Sequence, residues 1–188
     1  SCIVQSDGDV DCWGWDEHSQ SSDPPQGRFT AVSAGSFHTC ALDSDGQISC
    51  WGPQDGGAYD AGQVTDIPDG VYADVAAGYL HTCALSEDGD IDCWGITDGS
   101  ADDEGQVTAA PGGNGFTDLS VGLNHACALE PAGRISCWGD NIEGQVSGAP
   151  TDDGYTAITA GSHHTCALDA VGRAVCWGDD SAGQSSPP

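Results

Sequence analysis

A chain of 188 residues suits one compact domain or a short array of repeated units. Only three basic residues, Arg28, Arg134 and Arg173, stand against 30 acidic ones, and the formal net charge is −27. Such a field repels phosphates and anionic membrane surfaces, so nucleic acid is excluded as a partner, and no apolar run approaches the roughly 18 residues of a membrane helix.

The first recognisable element is "SCIVQSDGDVDCWG" at residues 1–14, in which Cys2 and Cys12 lie ten positions apart. The interval recurs at Cys40 and Cys50, Cys83 and Cys93, Cys127 and Cys137, and Cys166 and Cys176, and these five pairs use every cysteine. In each segment a glycine follows the midpoint: Gly8, Gly46, Gly89, Gly133 and Gly172. A three-residue hairpin loop built on a type I turn needs glycine there, because that residue takes a left-handed conformation. With Ser44, Asp45 and Gly46 as the loop, Leu42 faces Ile48 and Cys40 faces Cys50. Alternation makes the cysteines a non-hydrogen-bonded pair with Cα atoms about 4.5 Å apart, which a disulfide can span. Each interval is therefore a cross-strand staple worth about 2–3 kcal/mol. Zinc is disfavoured, since its cysteines come in closer pairs. Five staples imply an oxidising compartment, so the chain is expected to be extracellular or at a cell surface.

Each later hairpin is preceded by a strand-like word: "FTAVSAGSFHTCAL" (29–42), "YADVAAGYLHTCAL" (72–85), "FTDLSVGLNHACAL" (116–129) and "YTAITAGSHHTCAL" (155–168). Each is followed by a Trp-Gly and a loop ending in Gly-Gln: "CWGPQDGGAYDAGQV" (50–64), "CWGITDGSADDEGQV" (93–107), "CWGDNIEGQV" (137–146) and "CWGDDSAGQ" (176–184). Successive first cysteines are separated by 38, 43, 44 and 39 residues. A period near 40 with several short strands per unit marks a β-propeller or related radial array. The expectation is an all-β propeller of short antiparallel blades, with 1–188 as a single repeat domain of five stapled units.

These words resemble the regulator-of-chromosome-condensation repeat family, whose unit contains an aromatic, "V-A-G", a His, "A-L", "D-G", "W-G" and "G-Q" in that order. The resemblance covers essentially the whole chain and implies propeller blades, each a small antiparallel sheet. The cysteine pairs depart from the nuclear founder and fit secreted bacterial relatives. The units are shorter than is usual for the family, and its rings usually close with more blades than five.

Five hairpins but only four "V-A-G" strands leave the first unit short of one strand, an open edge of the kind that either aggregates or joins copies. The expected function is an extracellular, non-enzymatic structural or interaction module that assembles head to tail with copies of itself into a filament or sheath. The alternative is a secreted binding propeller for a glycan or another extracellular protein, lectin-like or an inhibitor. A further account treats residues 1 and 188 as cuts in a longer propeller.

The recurrent His38, His81, His125 and His164 are read as structural, closing a hydrogen bond to neighbouring backbone, while His18 and His163 have no repeat partner. Trp13, Trp51, Trp94, Trp138 and Trp177 are expected between blades, and the off-pattern Trp15 at the surface. The turns carrying Asp43, Asp45, Asp88 and Asp90 are calcium candidates, but Asp-Gly is also an ordinary hairpin turn and the full calcium-loop pattern is absent. No cofactor is expected otherwise. No nucleophile elbow, phosphate loop or catalytic carboxylate pair is legible, and no N-glycosylation sequon occurs.

Overall fold

The glycine past each hairpin midpoint is left-handed, with φ of +92° at Gly8, +75° at Gly46, +80° at Gly89, +78° at Gly133 and +81° at Gly172. Around it the chain reverses and pairs in the register that the ten-residue interval requires. The computed structural model describes residues 1–22 and 24–187, and all its regular elements are strands. They are β1 (Cys2–Val4), β2 (Val10–Cys12), β3 (Phe29–Ala34), β4 (Thr39–Asp43), β5 (Ile48–Trp51), β6 (Tyr72–Ala77), β7 (His81–Ser86), β8 (Ile91–Gly95), β9 (Asp118–Val121), β10 (His125–Leu129), β11 (Ile135–Gly139), β12 (Tyr155–Ala160), β13 (His164–Asp169) and β14 (Ala174–Gly178). Cys40 faces Cys50 and Leu42 faces Ile48 across β4 and β5. The same register pairs the cysteines of every other hairpin. All five pairs are disulfides with Cα atoms 4.0–4.1 Å apart.

Four three-stranded antiparallel sheets, β3–β5, β6–β8, β9–β11 and β12–β14, form blades, and β1–β2 is a two-stranded fifth. The missing strand is the one expected from the sequence. In each full blade the "V-A-G" strand is innermost. The ends of β3, β6, β9 and β12 border a narrow axial cavity of about 270 Å³, lined by Gly35, Gly78, Gly122 and Gly161 with their neighbours.

Successive blades are joined by a repeating set of contacts. The hairpin glycine carbonyl accepts the N–H of the aromatic residue that opens the next unit's inner-strand word: Gly8 from Phe29, Gly46 from Tyr72, Gly89 from Phe116, and Gly133 from Tyr155. A Cβ on Gly46 would come within 3.0 Å of Tyr72 backbone atoms, so close approach and positive φ both demand glycine there. Beneath these bonds, the Cys-Leu-Ile face of one blade packs on the next blade. Cys40 and Leu42 meet Tyr72, Val75, Ala84 and Trp94. Cys83, Leu85 and Ile91 meet Leu119, Ala126, Ala128 and Trp138. Cys127, Leu129 and Ile135 meet Ile158, Ala167 and Trp177. Apolar burial between blades, and not within any one sheet, thus makes the core.

Candidate functional site

Three of the four repeated histidines belong to these joints, and His164, on the last blade, is only half-buried. His38, His81 and His125 are fully buried. His38 Nε2 shares a hydrogen bond of 2.7 Å with Thr82 Oγ1, and His125 Nε2 one of 2.8 Å with Thr165 Oγ1. The partner is therefore a threonine side chain of the next blade and not backbone, because the ring lies across the joint, over the residue that follows the next histidine. His81 has Ala126 at that place, and both its ring nitrogens are without a partner. Burial holds the pKa of His38 and His125 down at about 4 and that of His81 at about 3. These groups are neutral joint elements.

The tryptophans divide. The indoles of Trp94, Trp138 and Trp177 donate to the backbone carbonyls of Gln63, Gln106 and Gln145 in the preceding Gly-Gln words, at 3.0, 3.0 and 2.7 Å. Those glutamines are wholly buried, and each accepts on Oε1 the N–H two residues before it. This is the role of the Gly-Gln word, which sequence reading left without one. Trp13 differs from expectation. It is 54% exposed where its four counterparts are 4–7% exposed, because no blade covers the outer face of β1–β2 among the described residues. Ile3 stands exposed on the same sheet. At the opposite end, Leu168 is 43% exposed where Leu42, Leu85 and Leu129 are 4–6%. An apolar cavity of about 300 Å³ borders Leu168 and Cys166 on that face.

The calcium candidates sit in two hairpin loops of different blades. Asp43 Oδ1 accepts the N–H groups of Asp45 and Gln47 at 2.8 and 2.9 Å, which is turn chemistry. Asp90 N–H is capped by Ser86 Oγ at 2.9 Å, and the Asp88 carbonyl accepts from Gly115 at 3.0 Å. Among the described residues no three His, Cys, Asp or Glu side chains converge in a way that would hold a metal ion.

Sequence reading missed an aromatic cluster. Trp15, His18, Phe37, Tyr59 and Tyr79 come from the segments after β2, β3, β5 and β6 and meet on one face of the propeller. Phe37 stacks on Tyr59 with ring centres 4.1 Å apart. Trp15 and His18 stand edge-on to Phe37 at 5.5 and 5.4 Å, and Tyr79 at 5.2 Å. Trp15 remains 52% and Tyr59 38% exposed. Trp15, His18 and Tyr59 have no equivalents in the other units, and that irregularity within a regular array was the available signal.

Sequence profiles of the regulator of chromosome condensation (RCC1) repeat match residues 29–56, 72–106, 116–145 and 155–184. No curated protein sequence matches the chain. Among solved structures, the entire ectodomain of the receptor kinase CR4 from Physcomitrella patens is 26% identical with a TM-score of 0.78, over 100% of this chain and 51% of that one. The CRINKLY WD40 ectodomain of the receptor kinase ACR4 from Arabidopsis thaliana is 26% identical with a TM-score of 0.69, over 94% and 59%. Prp20p from Saccharomyces cerevisiae, 20% identical with a TM-score of 0.64 over 86% and 47%, shares the fold. The chain thus spans between half and three-fifths of the receptor ectodomains it resembles. With the profile repeated in each of the four full blades, and with the histidine, Trp-Gly and Gly-Gln words all accounted for in the joints between them, the chain belongs to the regulator of chromosome condensation (RCC1) repeat family.

Proposed function

We propose that this chain is an extracellular, non-catalytic interaction module that joins copies of itself end to end. The observation that carries the reading is the pair of open blade faces. At three of the four internal joints a leucine of one blade and a tryptophan of the next are buried together, and at the first joint Val4 and Val10 take the leucine's place against Trp51. Among the described residues, Leu168 on the last blade and Trp13 on the first present the same two halves uncovered. A second copy placing its Trp13 and Ile3 over Leu168 and Cys166 would extend the series of joints already present. It would also bring the unpaired edge of β1 toward another sheet. Because the two faces differ, the contact is heterologous and propagates as a filament unless its rotation closes a ring. Extracellular placement is supported by the five disulfides and by the likeness to two receptor ectodomains.

Repulsion between copies carrying −27 each opposes association, so salt or calcium promotes it by screening. Sedimentation velocity across a salt series tests this. Mass should rise with ionic strength, and Leu168→Asp should abolish the rise without lowering the unfolding midpoint. A chain that stays monomeric at every salt concentration would end the assembly reading.

The second reading, a propeller that binds another extracellular molecule, is favoured by the off-repeat aromatic cluster, half exposed on the loop face.

A further inference from the structure

The loops 53–61 and 96–104 follow β5 and β8 and stand side by side. Between them opens a cavity of about 440 Å³ with the nearly fully buried Leu80 and Ile96 at its base and Asp60, Asp98 and Asp102 in its wall. Leu80 and Ile96 also form the apolar cluster with Phe37, against which Tyr79 and Ala61 pack. The cavity and the aromatic cluster therefore adjoin through Ala61, Leu80 and Ile96. Burial and then the Asp102 charge raise the pKa of the Tyr79 hydroxyl. None of the three arginines lines the cavity. Arg134 and Arg173 are paired with Asp153 and Asp169 in other blades.

The polar wall is specific in kind. Asp60 and Asp98 are fixed by backbone N–H groups of their own loops, from Gly56 at 2.8 Å and Ser100 at 2.9 Å. Among the described residues the Asp102 carboxylate accepts no side-chain hydrogen bond. Three carboxylates with no cationic side chain in the wall repel an anion. A divalent ion needs several converging oxygen ligands, which are not assembled here. A lysine or arginine side chain matches this lining, with an apolar stem for Leu80 and Ile96 and a charged head for the carboxylates.

Resting on the binding reading above, we propose that this cavity captures a lysine or arginine side chain from an extended basic segment of an extracellular protein, with neighbouring partner residues lying on the Trp15–Phe37–Tyr59 shelf. The uniformly acidic chain speeds that encounter by electrostatic steering.

Amidated pentapeptides with a central lysine, arginine, norleucine or glutamate, flanked by tyrosines, provide the probes, with binding followed by calorimetry and by the NMR indole signal of Trp15. Lysine and arginine peptides should bind at least about tenfold more tightly than norleucine, and glutamate should not bind. Asp102→Asn should weaken the lysine peptide about fivefold and flatten its salt dependence, while Asp152→Asn, in another blade, leaves it unchanged. Trp15→Ala should weaken all tyrosine-flanked peptides alike. Norleucine binding as well as lysine, or an Asp102→Asn variant with unaltered affinity, overturns the cationic assignment and leaves the binding reading standing. Binding of neutral oligosaccharides at the shelf does the same. Silence of the Trp15 signal toward every peptide and oligosaccharide overturns both.

Discussion

Replacing Ala126 by threonine should stabilise the protein, although it adds two heavy atoms to a fully buried site. His81 has no partner on either ring nitrogen, whereas the matching rings of His38 and His125 each bond a threonine hydroxyl at 2.7 and 2.8 Å. A buried polar group left unsatisfied costs about 1–3 kcal/mol. Thr82 and Thr165, at the equivalent place, are accommodated with no exposure, so the same pocket shape should accept Ala126→Thr with modest strain. Allowing about 1 kcal/mol for that strain, the net gain is about 1 kcal/mol, or about 2–4 °C in Tm for a domain of this size. Thr82→Ala and Thr165→Ala should lose about 1–3 kcal/mol each. Denaturant unfolding without reductant, followed by tryptophan fluorescence, measures all three. The reasoning is refuted if Thr82→Ala and Thr165→Ala are neutral, or if Ala126→Thr lowers the midpoint while no hydrogen bond to His81 forms by nitrogen NMR.

The histidines give a pH dependence with a definite sign. His38, His81 and His125 are held near 4, 3 and 4 in the folded state against 6.5 unfolded, so the unfolded chain binds more protons between those values. Stability is complete above about pH 6.5 and falls by about 2 kcal/mol per histidine on reaching pH 5, before most carboxylates titrate; a flat profile from pH 7 to 5 would contradict the neutral assignment. Gly133→Ala, where φ is +78° and a Cβ would lie 2.5 Å from Tyr155 backbone atoms, should cost at least about 2 kcal/mol. Gly172→Ala, with φ of +81° but open space, should cost only about 1 kcal/mol, and equal costs by thermal unfolding would show that close approach does not matter. Joint removal of Cys83 and Cys93 as alanines should cost about 2–3 kcal/mol, since the loop they close is short, and mass spectrometry without reductant should recover only the pairs ten residues apart.

What was legible follows from distance along the chain. The interval Cys40 to Cys50 and the glycine at Gly46 fix a hairpin by local geometry alone, so register, staple and left-handed turn could be read directly. The four inner strands and the missing fifth followed from counting words. The partner of His38 was not legible, because Thr82 lies 44 residues away and only the blade-to-blade offset brings them together. The role of Gln63 was hidden for the same reason, since its carbonyl waits for Trp94 of the next unit. Repetition itself concealed the aromatic cluster. Trp15, Phe37 and Tyr79 stand in successive units and Tyr59 in the unequal loop of Phe37's own unit, and reading for what recurs passes over residues that meet because their units differ. Trp13 carried the word of a buried residue, but among the described residues no neighbouring blade covers it.

Cryo-electron microscopy of the assembled protein tests the end-to-end account most directly. The account predicts a map in which Trp13 and Ile3 of one copy lie over Leu168 and Cys166 of the next, repeating the internal leucine–tryptophan joint. A map in which copies meet through the Trp15–Tyr59 loop face, or in which Trp13 and Leu168 remain open to solvent, would contradict it.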